Sequence, residues 1–280
     1  MSEENEMSSF SMLPEACMSY IFSFTSPKDA CIASAVSMGF KSAAESDLVW
    51  EQFLPSDYQD IIARSVSPVV YSSKKELYFH LCDSPLLLDG GKLIFRLSKS
   101  SGKKCFMLCA RELSIIWADS PRYWNWKTLT ESRFAEVAEL LSVCWLDIHG
   151  KMQTRMLSLK TNYAAYLVFK ILENSGGLYS PSKASVKLVQ QSMVQVEGEN
   201  NTVYLKQPPL GQGSWIEVVP SIHGRMPKER RDTWMEIELG EYFNDEGDEG
   251  DIQMQLLETE LLHWKHGLII EGIELRPKED

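Results

Sequence analysis

Apolar and polar positions change rhythm near residue 103: before it apolar residues recur at helical spacing, and after it they alternate. Tyr20, Ile21 and Phe24 make one stripe, and Val49, Trp50, Phe53 and Leu54 another. Pro14 reads as a first-turn proline. Ser26-Pro27-Lys28-Asp29 reads as a helix start, with Ser26 as N-cap, Pro27 in the first position and Asp29 near the positive end. Ala30 to Val36 is small and apolar, which suits close helix packing, and Ser46 caps a further helix. Three or four short helices are thus expected over residues 10–55, after a disordered tail over 1–9. A unit of that size is marginal on its own, which motivates a partner surface.

Residues 56–100 read as a connector with one helix from Ser72 to Cys82 and a turn at Asp89-Gly90-Gly91. Lys92 to Arg96 and Lys99 to Lys104 read as a solvated basic patch. From about Lys103 the period is two. Strands are expected at Cys105–Ala110, Leu113–Trp117, Val143–Ile148, Tyr163–Leu172, Ala184–Val189, Thr202–Leu205, Thr233–Leu239, Ile252–Leu256 and Leu268–Leu275. In Val143–Ile148 the pattern puts Cys144, Leu146 and Ile148 on one face and Trp145 and Asp147 on the other. Short strands between Gly, Pro, Asn and Asp turns predict a β-sandwich or barrel over 101–280. The fold class is α+β multidomain, helices first and an antiparallel sandwich after.

Composition narrows the function. The chain has 280 residues, 44% apolar and 24% charged, with a net charge of −11. That charge argues against generic binding to nucleic acid or acidic membranes. No apolar run is long enough to span a membrane. The first ten residues lack the basic and apolar regions of a signal peptide. Six scattered cysteines then read as free thiols in a reducing compartment, and the expected location is cytoplasm and nucleus. His80, Cys82, Cys105 and Cys109 lack the usual zinc spacing, so neither metal nor cofactor is expected. Asn200-Asn201-Thr202 is a formal glycosylation sequon. Asn244 to Gly250 is an acidic turn with a weak calcium alternative. Arg225 to Arg231, RMPKERR, is a loose candidate nuclear signal that also reads as a solvated loop.

The candidate chemistry centres on Trp117 to Trp126, WADSPRYWNW, with three tryptophans in ten residues. An indole offers a large apolar face and one N–H, which suits half-polar ligands such as sugar rings. Trp145, Trp234 and Trp264 read as core.

Two resemblances follow. Leu13-Pro14-Glu15, Ile21-Phe22-Ser23-Phe24, Ser26 to Ala30 and Leu48-Val49-Trp50 resemble an F-box. That resemblance implies docking on the Skp adaptor of a cullin-based ubiquitin ligase, with Leu13, Pro14 and Ile21 at the interface. Cys109 to Ile115, Trp117, Pro121 to Trp126, Val143 to Ile148, Tyr163 to Lys170, Trp234 to Glu241 and Gly267 to Pro277 resemble the phloem protein 2 family and its Nictaba-related lectin branch. The likeness implies a jelly-roll sandwich that binds N-acetylglucosamine oligomers or N-glycan cores. By motif, its sugar-binding tryptophans fall on Trp117 and Trp124 and its carboxylates on Asp251 and Glu258. Asp251 stands where the lectin has a glutamate, so that carboxylate retreats by about 1.5 Å. Asp251 and Glu258 are seven apart, so an unbroken strand points them to opposite faces, and a bulge at Leu257 would restore a shared face.

The expected function is a non-catalytic substrate receptor. The F-box recruits the ligase, and the sandwich selects a glycoprotein through its N-glycan. One alternative keeps the F-box role and gives the sandwich a protein surface to recognise. Another makes Asp251 and Glu258 the acid and base of a glycosidase.

Overall fold

The computed structural model describes residues 13–189, 201–208, 223–247 and 250–278. The expected tail, Asn200 of the sequon, and Asp248 and Glu249 of the acidic turn lie outside the described residues. Contacts divide the chain into two compact units, residues 1–90 with 95–105, and residues 91–94 with 106–280.

The first unit is helical: α1 (Glu15–Phe22), α2 (Pro27–Ala33), α3 (Met38–Glu45), α4 (Asp47–Phe53), α5 (Tyr58–Ala63) and α6 (Lys74–Asp83). Side-chain oxygens set its helix starts. Ser26 Oγ accepts the Asp29 N–H at 3.1 Å, with Pro27 in the first position as expected. Ser46 caps α4, and Ser73 caps α6 by accepting the Glu76 N–H at 3.2 Å. Pro14 stands at the N-cap of α1, one residue before its first turn. The core gathers around Trp50, whose Nε1 donates to Ala44 O at 2.7 Å and whose ring lies 5.2 Å from both Tyr78 and Phe79. Two short strands follow α6, β1 (Leu86–Leu88) and β2 (Leu93–Leu97). Lys104 departs from the solvated basic patch: it is buried, and its ammonium pairs with Asp57 at 3.0 Å.

The second unit is an antiparallel sandwich. Its first sheet runs β3 (Lys104–Cys109), β14 (His266–Pro277), β8 (Thr161–Gly176), β12 (Met235–Asn244), β11 (Lys228–Glu229). A hairpin of β5 (Trp124–Lys127) and β6 (Val137–Leu140) joins it through β6 and β14. The second sheet runs β10 (Asn201–Tyr204), β9 (Pro181–Val189), β13 (Asp251–Glu258), β7 (Leu146–Gln153), β4 (Ser114–Ile115). The strand expected over Leu113–Trp117 keeps only two residues, because the chain turns at Trp117.

The alternation expected from the sequence sets the core. Ile252, Met254 and Leu256 of β13 point inward, while Asp251, Gln253 and Gln255 alternate outward. Fully burying such apolar side chains contributes about 1.5–3 kcal/mol each. Gly150 of β7 faces the other sheet with little room to spare. A Cβ there would stand 3.1 Å from Ile273 Cδ1 and 3.2 Å from Met254 Cε.

Candidate functional site

Three segments converge at one end of the sandwich. The turn after β4 is tied to β7, with Ile116 N–H donating to Asp147 O at 3.0 Å. The stretch after β6 is tied to the start of β5 by Leu141 N–H donating to Tyr123 O at 2.9 Å. The same stretch bridges the turn between β13 and β14 through reciprocal Val143–Lys265 backbone bonds of 3.0 and 2.7 Å. These ties present an aromatic platform. The Trp117 and Trp145 indoles are parallel to within 6°, with centroids 6.3 Å apart, and the Tyr123 ring lies 5.1 Å from Trp117. Trp117 is 39% exposed and Trp145 43%. Exposed, parallel indoles offer their apolar faces to the C–H side of a pyranose, with N–H donors at the edges.

The backbone at Trp117 is strained: its φ of +57° is an outlier for a bulky residue, a conformation that costs of order 1–3 kcal/mol. Two further indoles brace it. Trp124 Nε1 donates to Ile116 O at 3.0 Å, and Trp126 Nε1 donates to Ala118 O at 3.1 Å. The carbonyls on either side of Trp117 are thereby held from β5. Arg111 lies 3.6 Å over the Trp126 ring. Trp124 is 1% exposed and has no face free for a ligand. The expectation that it stacks on a sugar is corrected: it supports Trp117 from behind.

The carboxylates also divide. Glu258 ends β13 on the inward face, buried and ion-paired with the equally buried Lys265. Its Oε1 accepts the Leu261 N–H at 2.9 Å. Lys265 Nζ donates to Cys144 O and His263 O, each at 2.9 Å. Glu258 therefore lies behind the platform, holding the turn beside Trp145, and is closed to solvent. Asp251 is half-buried at the far end of the same strand. The register from Asp251 opposite Gln153 to Glu258 opposite Leu146 is continuous, so the bulge that would reunite the two carboxylates is absent. Seven strand steps put their backbones about 23 Å apart, on opposite faces. That separation also removes the glycosidase reading of this pair, whose carboxyl groups need a spacing of about 5–9.5 Å.

Of the four residues named for sugar binding, the structure keeps Trp117 at the surface and places Trp124 and Glu258 behind it. Asp251 stands apart. Trp145 and Tyr123 complete the platform. The signal for Trp145 was its place in the alternation, on the polar face with Asp147, which the high average burial of tryptophan overrode. Trp264 is exposed as well, contrary to a core role, whereas Trp234 is core, with Nε1 donating to Glu131 O at 3.2 Å.

On the helical unit, Leu13 is half-buried and Pro14 and Ile21 are exposed. Tyr20, Phe24, Ile32, Val36, Met38 and Leu48 are exposed too. Exposed apolar side chains mark an interaction surface where they form one contiguous patch.

Comparison with known proteins fits both halves. Residues 10–52 match the F-box domain model and residues 103–277 match the model for phloem protein 2. F-box protein PP2-B10 of Arabidopsis thaliana is 46% identical over 98% of this chain and 96% of its own length. F-box protein At2g02240, from the same plant, is 46% identical over 96% of this chain and 81% of its own. The chain belongs to the phloem protein 2 family, among the members that carry an F-box ahead of that domain.

Proposed function

We propose that the chain is the substrate-recognition subunit of a Skp–cullin–F-box ubiquitin ligase. In this reading it works in cytoplasm and nucleus and leaves the ubiquitin chemistry to its partners. The helical unit docks on the Skp-type adaptor through Leu13, Pro14, Ile21 and the apolar side chains around them. The sandwich binds N-acetylglucosamine oligomers or N-glycan cores of target glycoproteins. One observation carries the reading: the exposed platform of Trp117, Tyr123 and Trp145 on a chain whose other unit is an F-box.

Titration with an N-acetylglucosamine oligomer, followed by tryptophan fluorescence, tests the sugar half. Saturable binding is expected, lost in both Trp117→Ala and Trp145→Ala while circular dichroism stays unchanged. A second reading, a sandwich that grips a protein surface, is favoured by the burial of Glu258 and the remoteness of Asp251. Absence of binding by the folded wild type at millimolar sugar would select it. For the ligase half, Ile21→Glu puts a charge into an apolar interface. It is expected to abolish co-purification with a Skp-type adaptor without altering thermal stability. Retained co-purification would remove Ile21 from the interface.

A further inference from the structure

We infer, resting on the sugar reading of the platform, that the binding face extends beyond the indoles along a row of polar side chains on the second sheet. The extended face takes a linear N-acetylglucosamine chain longer than the indoles cover. Trp145 stands two residues before Asp147, and Trp117 follows Ile116, whose N–H donates to Asp147 O at 3.0 Å. Asp147 and His149 of β7 alternate with buried Leu146 and Ile148, so they continue the exposed face that Trp145 begins. Across the ladder, β13 sets Gln255 opposite His149 and Gln253 opposite Lys151, on that same face.

These four side chains hold one another. Gln253 Nε2 lies 2.8 Å from His149 Nδ1, and Asp147 Oδ1 lies 2.5 Å from His149 Nε2. An amide nitrogen only donates and a carboxylate only accepts, so Nδ1 is the bare nitrogen and Nε2 carries the proton. Gln255 Nε2, 3.2 Å from His149 Nε2, donates to Asp147 Oδ1 at 3.5 Å. One imidazole thus gathers two glutamines and an aspartate, all of them half-buried rather than closed to solvent. Asp147 Oδ2 and the Oε1 atoms of both glutamines take no part in these bonds.

A glutamine on a solvated strand is ordinarily free to turn, and fixing it on binding weakens the complex. Here the network has ordered both glutamines beforehand. The chemistry fits the edge of a pyranose. Its hydroxyls and acetamido N–H donate, and the row offers three acceptor atoms, one of them on a carboxylate. His149 lies four residues past Trp145, about 13 Å along the strand. A sugar stacked on the indoles therefore meets Asp147 at most, and only the next units of its chain reach His149 and the glutamines.

The test is calorimetric titration of the full chain with the β1,4-linked disaccharide and tetrasaccharide of N-acetylglucosamine. The tetrasaccharide is expected to bind about tenfold more tightly, the effect of one or two added hydrogen bonds. Gln253→Ala and Gln255→Ala should each reduce that ratio, and His149→Ala, which releases both glutamines, should abolish it. Disaccharide affinity should keep its wild-type value in all three, with circular dichroism unchanged. Equal affinity of the wild type for the two sugars would overturn the extension and leave the platform in place. A length preference undiminished in the variants would overturn it as well. So would an equal loss of both sugars, which would make the row a prop for the platform. Binding of neither sugar by the folded wild type would remove the sugar reading of the platform, and the extension with it.

Discussion

Trp124→Ala is expected to destabilise the sandwich by about 3–5 kcal/mol, as large aromatic truncations in a packed core do. For a domain of this size that lowers the melting temperature by roughly 6–20 °C. The loss has two parts: the cavity left by a buried indole, and the hydrogen bond that holds Ile116 O beside the strained Trp117. Trp117→Ala removes a ring that is 39% exposed and touches Tyr123 and Trp145, and is expected to cost about 1 kcal/mol, well below the cost of the Trp124 truncation. The two tryptophans should thus separate by measurement. Trp117→Ala loses ligand binding with the fold intact, and Trp124→Ala loses stability first and binding through it. Thermal unfolding followed by circular dichroism decides. A Trp124→Ala protein that melts with wild type would refute the bracing role.

Lys265→Met is expected to cost about 3–5 kcal/mol, because it leaves the Glu258 carboxylate buried without its cation. The Leu261 N–H alone then faces the charge. Replacing both partners, Glu258→Leu with Lys265→Met, removes the unpaired charge and is expected to recover most of that loss. A double-mutant cycle in denaturant gives the coupling directly. If Lys265→Met were as stable as wild type, Glu258 would have to reach solvent, which would return it to the ligand-binding candidates.

Much of the architecture was legible because local rules and burial agree. Ser26-Pro27-Lys28-Asp29 starts a helix as its chemistry demands, β13 alternates in burial as its sequence does, and β8 and β14 cover stretches that are apolar almost without a break. The short strands β5 and β6 carried no such signal, since each has four residues and Trp124 to Lys127 is dominated by aromatics. The site was legible by region and less so by residue. A motif places Trp124 beside Trp117 but does not say which indole faces water. That depends on the turn at Trp117 and on hydrogen bonds eight residues back along the chain. Asp251 and Glu258 show the opposite case. Their odd spacing predicts opposite faces, and the unbroken β13 keeps them there.

The place of β14 in the first sheet bears on how the protein is made. β8 lies between β12 and β14, and its pairing with β14 joins Gly176 to His266, 90 residues further along the chain. On the ribosome, β8 emerges long before that neighbour exists. It presents an open edge and an apolar face in the meantime, the kind of exposure that invites wrong pairing. Such distant partners make assembly slow. Until His266 and its strand have been made, the edge of β8 must be kept from other strands, so this pairing is where the nascent sandwich is most exposed to misassembly.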